Sequence, residues 1–545
     1  MFEKIQLNKF FSILIFSVLF LNSFIFSQSW NAIGSGTNGK VNAAVVFNGQ
    51  LVVAGEFTSP ATNIARWNGS AWSSLGTGLN GVVHGLAVFN SNLIAVGSFN
   101  NAGNNVAQWN GSAWSSLGLG TNDTVFAVTV YNNTLRIGGK FTTAGGLNCN
   151  RVSFWNGTQW GTMGTPNGVN NTVYALTVFN ADLIIGGQFT TAGSLNPSNR
   201  IVRYNSNGTY TNMGSGVDNN QVLSLAVYQN QLYVGGSFTS VGGVTVNNIA
   251  RWTGANWNSV SSGANGTVRA FGLQGSNLVI GGSFTNIGNA IANWNGTAFS
   301  ILGTGITGGA ASVRAITVWS NILIAAGEFT NAGLTDVPAS NVAGYGSVPA
   351  APTLISPADG ANGVSTTPVL DWSDVSIATT YGVQVSGNPN FTSTIVNVSN
   401  LAVSTYTITS GILGNNVTYF WRANASNGLG TSPFSLVRFF TTALTGIINT
   451  QEIPLTFNLY QNYPNPFNPV TKIRFDIPAG NASNGNIRLV VYDINGKEAA
   501  TLLNTEYTAG IWEVDFNAVN LSSGLYFYKL TAGSYSAINK MILIK

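Results

Sequence analysis

The sequence predicts an all-β chain: a seven-bladed β-propeller over residues 28–348, followed by two smaller β-sandwiches. Three observations carry this. The word Gly-x-Phe recurs seven times, ending at Phe57, Phe99, Phe141, Phe189, Phe238, Phe284 and Phe329, at intervals of 42, 42, 48, 49, 46 and 45 residues. A period of that size built from short β-type runs marks a propeller blade or a solenoid turn. The 545 residues include 65 glycines and are 44% hydrophobic, yet only 7% are charged. Blades stacked face to face bury both surfaces, so their strands read as apolar runs rather than as strict alternation. Finally, aromatic residues recur at two fixed places: Trp67, Trp109, Trp155, Tyr204, Trp252, Trp294 and Tyr345 at one, Trp72, Trp114, Trp160, Tyr210, Trp257 and Phe299 at the other. Recurrence at fixed blade positions points to packing between blades.

One repeat, residues 222–263, gives the blade. Val222–Tyr228 is an apolar run, Gln229-Asn230-Gln231 turns, and Leu232–Gly236 is a second run closed by two glycines. A loop leads to Asn248–Trp252, a turn at Thr253-Gly254-Ala255, and a fourth run from Trp257 to Val260. Four strands per repeat is a propeller sheet. Asn-Gly pairs such as Asn48-Gly49, Asn68-Gly69 and Asn110-Gly111 supply the turn chemistry of tight hairpins. The phase of the repeat predicts ring closure. Trp30–Gly34 is a fourth strand without its first three, and Asn341–Tyr345 is a third strand without a fourth. The N-terminal piece is therefore expected to complete the last blade and remove the open edges.

The strand order, together with "WNGSAWSSLGTGLNGVVHGLAVFN" (67–90) and "GSFTSVGG" (236–243), resembles kelch-type propellers, and is especially similar to those of the fungal cortical polarity-marker family and of many bacterial secreted proteins. The resemblance covers roughly 320 residues and implies a fold, not an activity.

Residues 1–27 carry Lys4 and Lys9, then an apolar stretch from Phe10 to Phe26 interrupted by Ser12, Ser17, Asn22 and Ser23. This pattern is a secretory signal peptide with cleavage between Ser27 and Gln28. Residues 349–443 open on "PAAPTLISPADG" and continue through "LDWSDV", "YGVQVS", "TYTIT", "TYFWRANASN" and "VRFFTT". With Trp372 and Trp421 as buried-type aromatics, this stretch resembles a fibronectin type III sandwich, which implies a spacer. Residues 444–454 form a linker. Residues 455–545 contain "LYQNYPNPFNPVTKIRFDIP", "VVYDINGKEAATLL", "GIWEVDF", "LSSGLYFYKLTAG" and "KMILIK". They resemble the C-terminal sorting domain of the type IX secretion system of Bacteroidetes-like bacteria. The resemblance implies export of a folded cargo, release or attachment to a surface lipopolysaccharide, and the secretion machinery as partner. Asn495-Gly496 reads as a hairpin turn, with Leu525–Leu530 and Lys540–Lys545 as closing strands.

Catalytic chemistry is sparse. The chain has one histidine, His84, and one cysteine, Cys149, neither in a recognisable triad or dyad motif. His84 opens a first strand and reads as a structural or edge residue. One histidine cannot supply a copper-radical site, the spaced acidic residues of a calcium loop are missing, and no metal or cofactor is expected. Glu56 and Glu328 share the middle slot of Gly-x-Phe in the first and last blades, which leaves a two-carboxylate glycosidase open as an alternative. The formal charge is +4, with basic residues scattered over the blades, so no nucleic-acid partner is expected. The turns between first and second and between third and fourth strands are short. The loops on the opposite face are longer and varied: Thr142–Asn150, Thr190–Asn199, Thr239–Asn247 and Thr330–Ser340. Variable loops on a rigid scaffold are where binding sits. Asn148, Asn150, Arg151, Asn199, Arg200, Asn247 and Asp336 are therefore the candidate binding residues. The expected function is a non-enzymatic, secreted or cell-surface protein that binds glycan or protein, reaching a membrane only along the export route or through a lipopolysaccharide anchor. A carbohydrate-active enzyme and a structural surface-layer protein are the alternatives.

Overall fold

The computed structural model describes residues 28–333, 337–443, 453–479, 486–506, 509–519 and 521–545. The expected signal peptide up to Ser27, Asp336 and most of the expected 444–454 linker lie outside the described residues. The chain forms two compact units, residues 1–347 and 348–545. Every regular element among the described residues is a β-strand, and no helix is long and apolar enough to cross a membrane.

The first unit holds seven four-stranded antiparallel sheets. The first blade is Lys40–Phe47, Gln50–Glu56, Ile64–Trp67 and Trp72–Ser74. Five more follow in the same order. The seventh takes Ser312–Trp319, Ile322–Glu328 and Val342–Gly346 from the end of the repeat region, and Ser29–Ala32 from the N-terminus as its outer strand. Trp30 faces Tyr345 across this antiparallel pair, which is the closure expected from the repeat phase. The innermost strands pack side by side around the ring, and that of the seventh blade meets that of the first. Trp319 Nε1 donates to Gly49 O at 2.8 Å, and Asn341 Nδ2 to Thr37 O at 2.9 Å, across the same junction.

The two aromatic columns face each other within each blade. Trp67 pairs with Trp72, Trp109 with Trp114, Trp155 with Trp160, Tyr204 with Tyr210, Trp252 with Trp257, Trp294 with Phe299 and Tyr345 with Trp30, at centroid distances of 4.7 to 5.4 Å. The outer ring then reaches backwards. Trp72, Trp114, Trp160 and Trp257 donate Nε1–H to Ile33, Leu75, Leu117 and Met213 carbonyls of the preceding blade at 2.8 to 3.0 Å. Tyr210 does so through its hydroxyl to Met163 O, and Trp30 to Leu302 O. Phe299 has no donor to offer. Six of the seven outer-strand aromatics thus pack in their own sheet and latch the neighbouring one. Trp160→Phe keeps an aromatic ring but loses the Nε1–H donor and part of a buried indole, leaving Leu117 O without this partner, so it is expected to cost about 1–3 kcal/mol, read by chemical denaturation. A loss under about 0.3 kcal/mol would show that the latch carries no stability.

The Asn-Gly turns are of two kinds. Asn48 and Gly49 both take positive φ, as a two-residue hairpin requires. At Asn68, Asn110, Asn156 and Asn295 only the glycine does; the Asn Oδ1 instead accepts backbone N–H groups two and three residues on.

In the second unit, residues 354–442 form two facing sheets. One is Leu354–Ser356, Val369–Trp372 and Thr405–Thr407; the other runs Ala361–Val364, Arg438–Thr442, Thr418–Asn427, Thr380–Ser386, Val396–Leu401. This is a fibronectin type III-like sandwich, with Trp372 and Trp421 at its centre, 1% and 0% exposed. The C-terminal sandwich pairs Asn458–Leu459, Val470–Ile477 and Gly510–Asn517 in one sheet against Glu498–Glu506, Asn486–Tyr492, Gly524–Ala532 and Tyr535–Leu543 in the other. Asn495-Gly496 is the expected turn, with Gly496 at φ 78° and Asp493 Oδ1 accepting the Asn495 and Lys497 N–H groups. Tyr528, fully buried, ties its core to the "YQNYPNP" segment: it accepts from Asn462 N and donates to Tyr460 O, both at 2.8 Å.

Candidate functional site: the axial opening of the propeller

Gly-x-Phe turns out to shape the axis of the ring. Every innermost strand carries a β-bulge at one place: Asn42, His84, Phe126, Tyr174, Leu223, Arg269 and Arg314 are the extra residues, each skipped in the pairing with the second strand. The bulge pushes a carbonyl onto the strand opposite. A Cβ at Gly55, Gly97, Gly139, Gly187, Gly236, Gly282 or Gly327 would lie only 2.0 to 2.2 Å from that oxygen, so the glycine of Gly-x-Phe is obligatory. The following phenylalanine is buried in every repeat. The bulged side chains are all half-buried, each following a buried residue, and converge on the axis. They line a cavity of about 440 Å³, joined by Lys40, Glu56, Val82 and Gln221.

The opening has two unlike halves. His84, Phe126 and Tyr174, from three successive blades, form a continuous aromatic wall with centroids 4.7 and 5.2 Å apart, and Leu223 extends it. Lys140 Nζ sits 5.8 Å above the Phe126 ring, and Tyr174 Oη lies 3.2 Å from Gln188 Oε1. The other half is charged. Glu328 links Arg314, at 3.3 Å, to Lys40, at 3.7 Å. Arg269 makes no ion pair among the described residues, and its Nε is buried without a hydrogen-bond partner. Burial first, then the adjacent Arg314 cation, lowers the pKa of Arg269 from its ordinary value. Burial likewise pushes His84 down to about 4, helped by the positive charges of Arg314 and Lys140. The imidazole is thus neutral at physiological pH. Because its folded pKa lies below the unfolded one, its contribution to stability is complete above about 6.5 and is lost as the pH falls toward 4.

The long loops lie at this same end, but their candidate residues do other work. Asn150, Asn199 and Asn247 donate Nδ2–H to carbonyls of Asn167, Ser215 and Ser262, in the loops that lead into the next blade, at 2.7 to 3.2 Å. Asn148 accepts at its carbonyl from Asn167. Arg151 and Arg200 occupy, at φ 73° and 63°, the slot filled elsewhere by Asn63, Asn105, Asn248 and Asn341. Those asparagines bond the next blade's entry loop, and Arg200 does the same through Val217 O at 3.0 Å and Asp218 O at 3.2 Å. Arg151 bonds Phe141 O at 3.4 Å. None of the six lines the axial opening, so alanine at Arg200 removes an inter-blade bracket together with a loop-face cation. Cys149 is buried in the same loop as a free thiol. His84, read from sequence as structural, stands in the aromatic wall against Phe126. The signal that finds the wall is positional: each bulged residue stands fifteen places before the phenylalanine of its repeat, in a column where residue type varies freely.

Comparison with known families decides the C-terminal part. Residues 461–545 match the secretion system C-terminal sorting domain. That segment is a sorting domain. The sorting domain marks the chain for the type IX machinery, and for secretion or attachment at the outer cell surface. Residues 182–209 and 230–253 match a β-propeller domain of unknown function, DUF5122. Both matched pieces span second and third strands of a blade, with the Gly-x-Phe word inside. No curated protein matches the chain. Among solved structures, the FN1-FN3 domains of chicken CNTN1 are 15% identical, cover 41% of this chain and 77% of their own, and give a TM-score of 0.17. The chicken interferon gamma receptor alpha chain is 12% identical, with coverages of 36% and 98% and a TM-score of 0.14. Scores this low carry no argument; the sandwich assignment rests on its own sheet order.

Proposed function

We propose that the chain is a non-enzymatic binding protein of the cell surface or surrounding medium. Its kelch-like seven-bladed propeller takes a glycan or protein ligand at the long-loop face, its fibronectin type III-like sandwich serves as a spacer, and its sorting domain delivers it. The observation that carries this reading is the bulge column. Seven strands hold side chains of six types on one axial cavity, on a scaffold whose recurring phenylalanines and aromatic pairs are spent on packing. Rigid backbone with variable side chains is the arrangement of a binding site. The enzymatic alternative rests on Glu56, which lines the opening, while Glu328 is already engaged by Lys40 and Arg314. A glycan and protein array probed with the full chain, with product release followed on every hit, separates the two. Binding without turnover, weakened by Phe126→Ala, is expected. Turnover abolished by Glu56→Gln would replace the binding reading with the enzymatic one, and hits unaffected by Phe126→Ala would move the site to the loops.

A further inference from the structure

The two halves of the axial opening differ in what they attract, and the difference narrows the ligand. The rings of His84, Phe126 and Tyr174 offer adjoining faces in one wall. An aromatic face is electron-rich and draws the weakly positive C–H groups of a pyranose ring. Across the cavity, Arg269 presents a guanidinium with no ion-pair partner among the described residues, beside Arg314, whose charge is shared with Glu328. A planar guanidinium with free N–H groups matches a carboxylate in a two-pronged geometry, and in a partly dry cavity that contact is strong. Glu56, at the rim, can only accept hydrogen bonds when ionised. It suits hydroxyl donors and repels a second negative charge. Asn42 and Gln221 add uncharged donors and acceptors. A neutral sugar leaves Arg269 unanswered, free phosphate leaves the aromatic wall unused, and a second carboxylate inside the cavity meets Glu56.

We infer that the axial opening binds a carboxylate-bearing sugar, of the hexuronic-acid class, at the end of or within an acidic polysaccharide. The carboxylate pairs with Arg269, the ring lies on the Phe126–Tyr174 wall, and the hydroxyls face Glu56 and Asn42. This rests on the binding function proposed above and adds the class of ligand. The cavity volume of about 440 Å³ accommodates one or two sugar rings. His84 is the chain's only histidine, so its imidazole resonances report on the site without overlap. The cations of Arg314 and Lys140 face it, and Lys40, Arg269, Glu56 and Glu328 lie around the same opening. A bound carboxylate offsets the positive charge and raises the pH at which His84 protonates.

The experiment titrates the full chain with glucuronate and galacturonate oligosaccharides, with the matching neutral oligosaccharides, and with inorganic phosphate, by calorimetry and by histidine NMR. At least one uronate series is expected to bind about tenfold or more tighter than its neutral counterpart. Affinity should fall as salt rises, and the His84 titration should move upward. Arg269→Gln, which breaks no ion pair, is expected to remove that preference while leaving the melting temperature unchanged. Phe126→Ala should weaken uronate and neutral sugars alike. Should Arg269→Gln fail to fold, Glu56→Gln gives a second reading: it removes the repulsion and should let phosphate or a doubly charged sugar bind more tightly. Equal binding of neutral and acidic sugars overturns the inference but leaves a glycan-binding propeller standing. Phosphate competing on equal terms with uronates reduces the site to a simple anion pocket. Absence of binding by any sugar overturns the inference, and capture of a protein ligand alone on the array keeps only the broader reading.

Discussion

Deleting residues 28–36 is expected to lower the melting temperature of the propeller by roughly 10–20 °C. The strand Ser29–Ala32 is the outer edge of the seventh blade, and its loss takes with it Trp30 and Ile33, 2% and 0% exposed. Removing a buried tryptophan alone costs about 3–5 kcal/mol, and a buried isoleucine about 2–5 kcal/mol when cut to alanine. The Trp30 bond to Leu302 O, which ties the seventh blade to the sixth, goes as well. For a unit of this size, each kcal/mol shifts the midpoint by about 2 °C. The deletion also strips the partner from Val342–Gly346 and leaves an unpaired edge, so aggregation should accompany the early melting. Tryptophan fluorescence follows the transition well, because most of the tryptophans lie in the blades. A melting curve within a degree of the intact chain would show that the ring is held by its inner strands alone.

Removing residues 455–545 is expected to abolish delivery to the cell surface while leaving the propeller folded. The sorting information and the blades lie in separate compact units. In a host with type IX secretion, the truncated chain should accumulate in the periplasm, resistant to protease and with its blade fluorescence intact. Tyr528→Ala should give the same retention without any deletion. It empties a fully buried site and breaks the bridge between Asn462 and Tyr460, a loss of about 3–5 kcal/mol in a small sandwich. Surface display of either variant at the level of the intact chain would show that the machinery does not need the folded sorting domain.

The blades were legible because their cause is local. A Gly-x-Phe word, an aromatic pair and a turn recur within each repeat, and ring closure follows from which strands are left over at the two ends. The axial site was not legible by the same means. A bulge is a property of two paired strands, and sequence shows only one strand at a time. Its trace, the glycine of Gly-x-Phe, reads as a strand end until the carbonyl opposite is seen to lie 2.0 to 2.2 Å from where a Cβ would stand. The seven bulged residues are of six types, so a search for one recurring residue type passes over them. Conversely, Arg151, Arg200 and the loop asparagines look like ligand contacts because they are polar and sit on long loops. The bonds of Arg200 and the asparagines run to the neighbouring blade, a direction that only the ring geometry supplies, and Arg151 bonds Phe141 O within its own blade. Asp336 lies outside the described residues.

The bulge column separates the grammar of the ring from its vocabulary. The glycine and phenylalanine of each repeat hold the backbone, and the bulged residue takes no part in the pairing with the second strand. One position per blade can therefore be rewritten while the other blades and their latches stay as they are. Seven such positions, each open to many residue types, allow an enormous range of axial surfaces on one unchanged frame. A library varied only at Asn42, His84, Phe126, Tyr174, Leu223, Arg269 and Arg314 would turn this propeller into a general receptor scaffold, already fitted with its own route out of the cell.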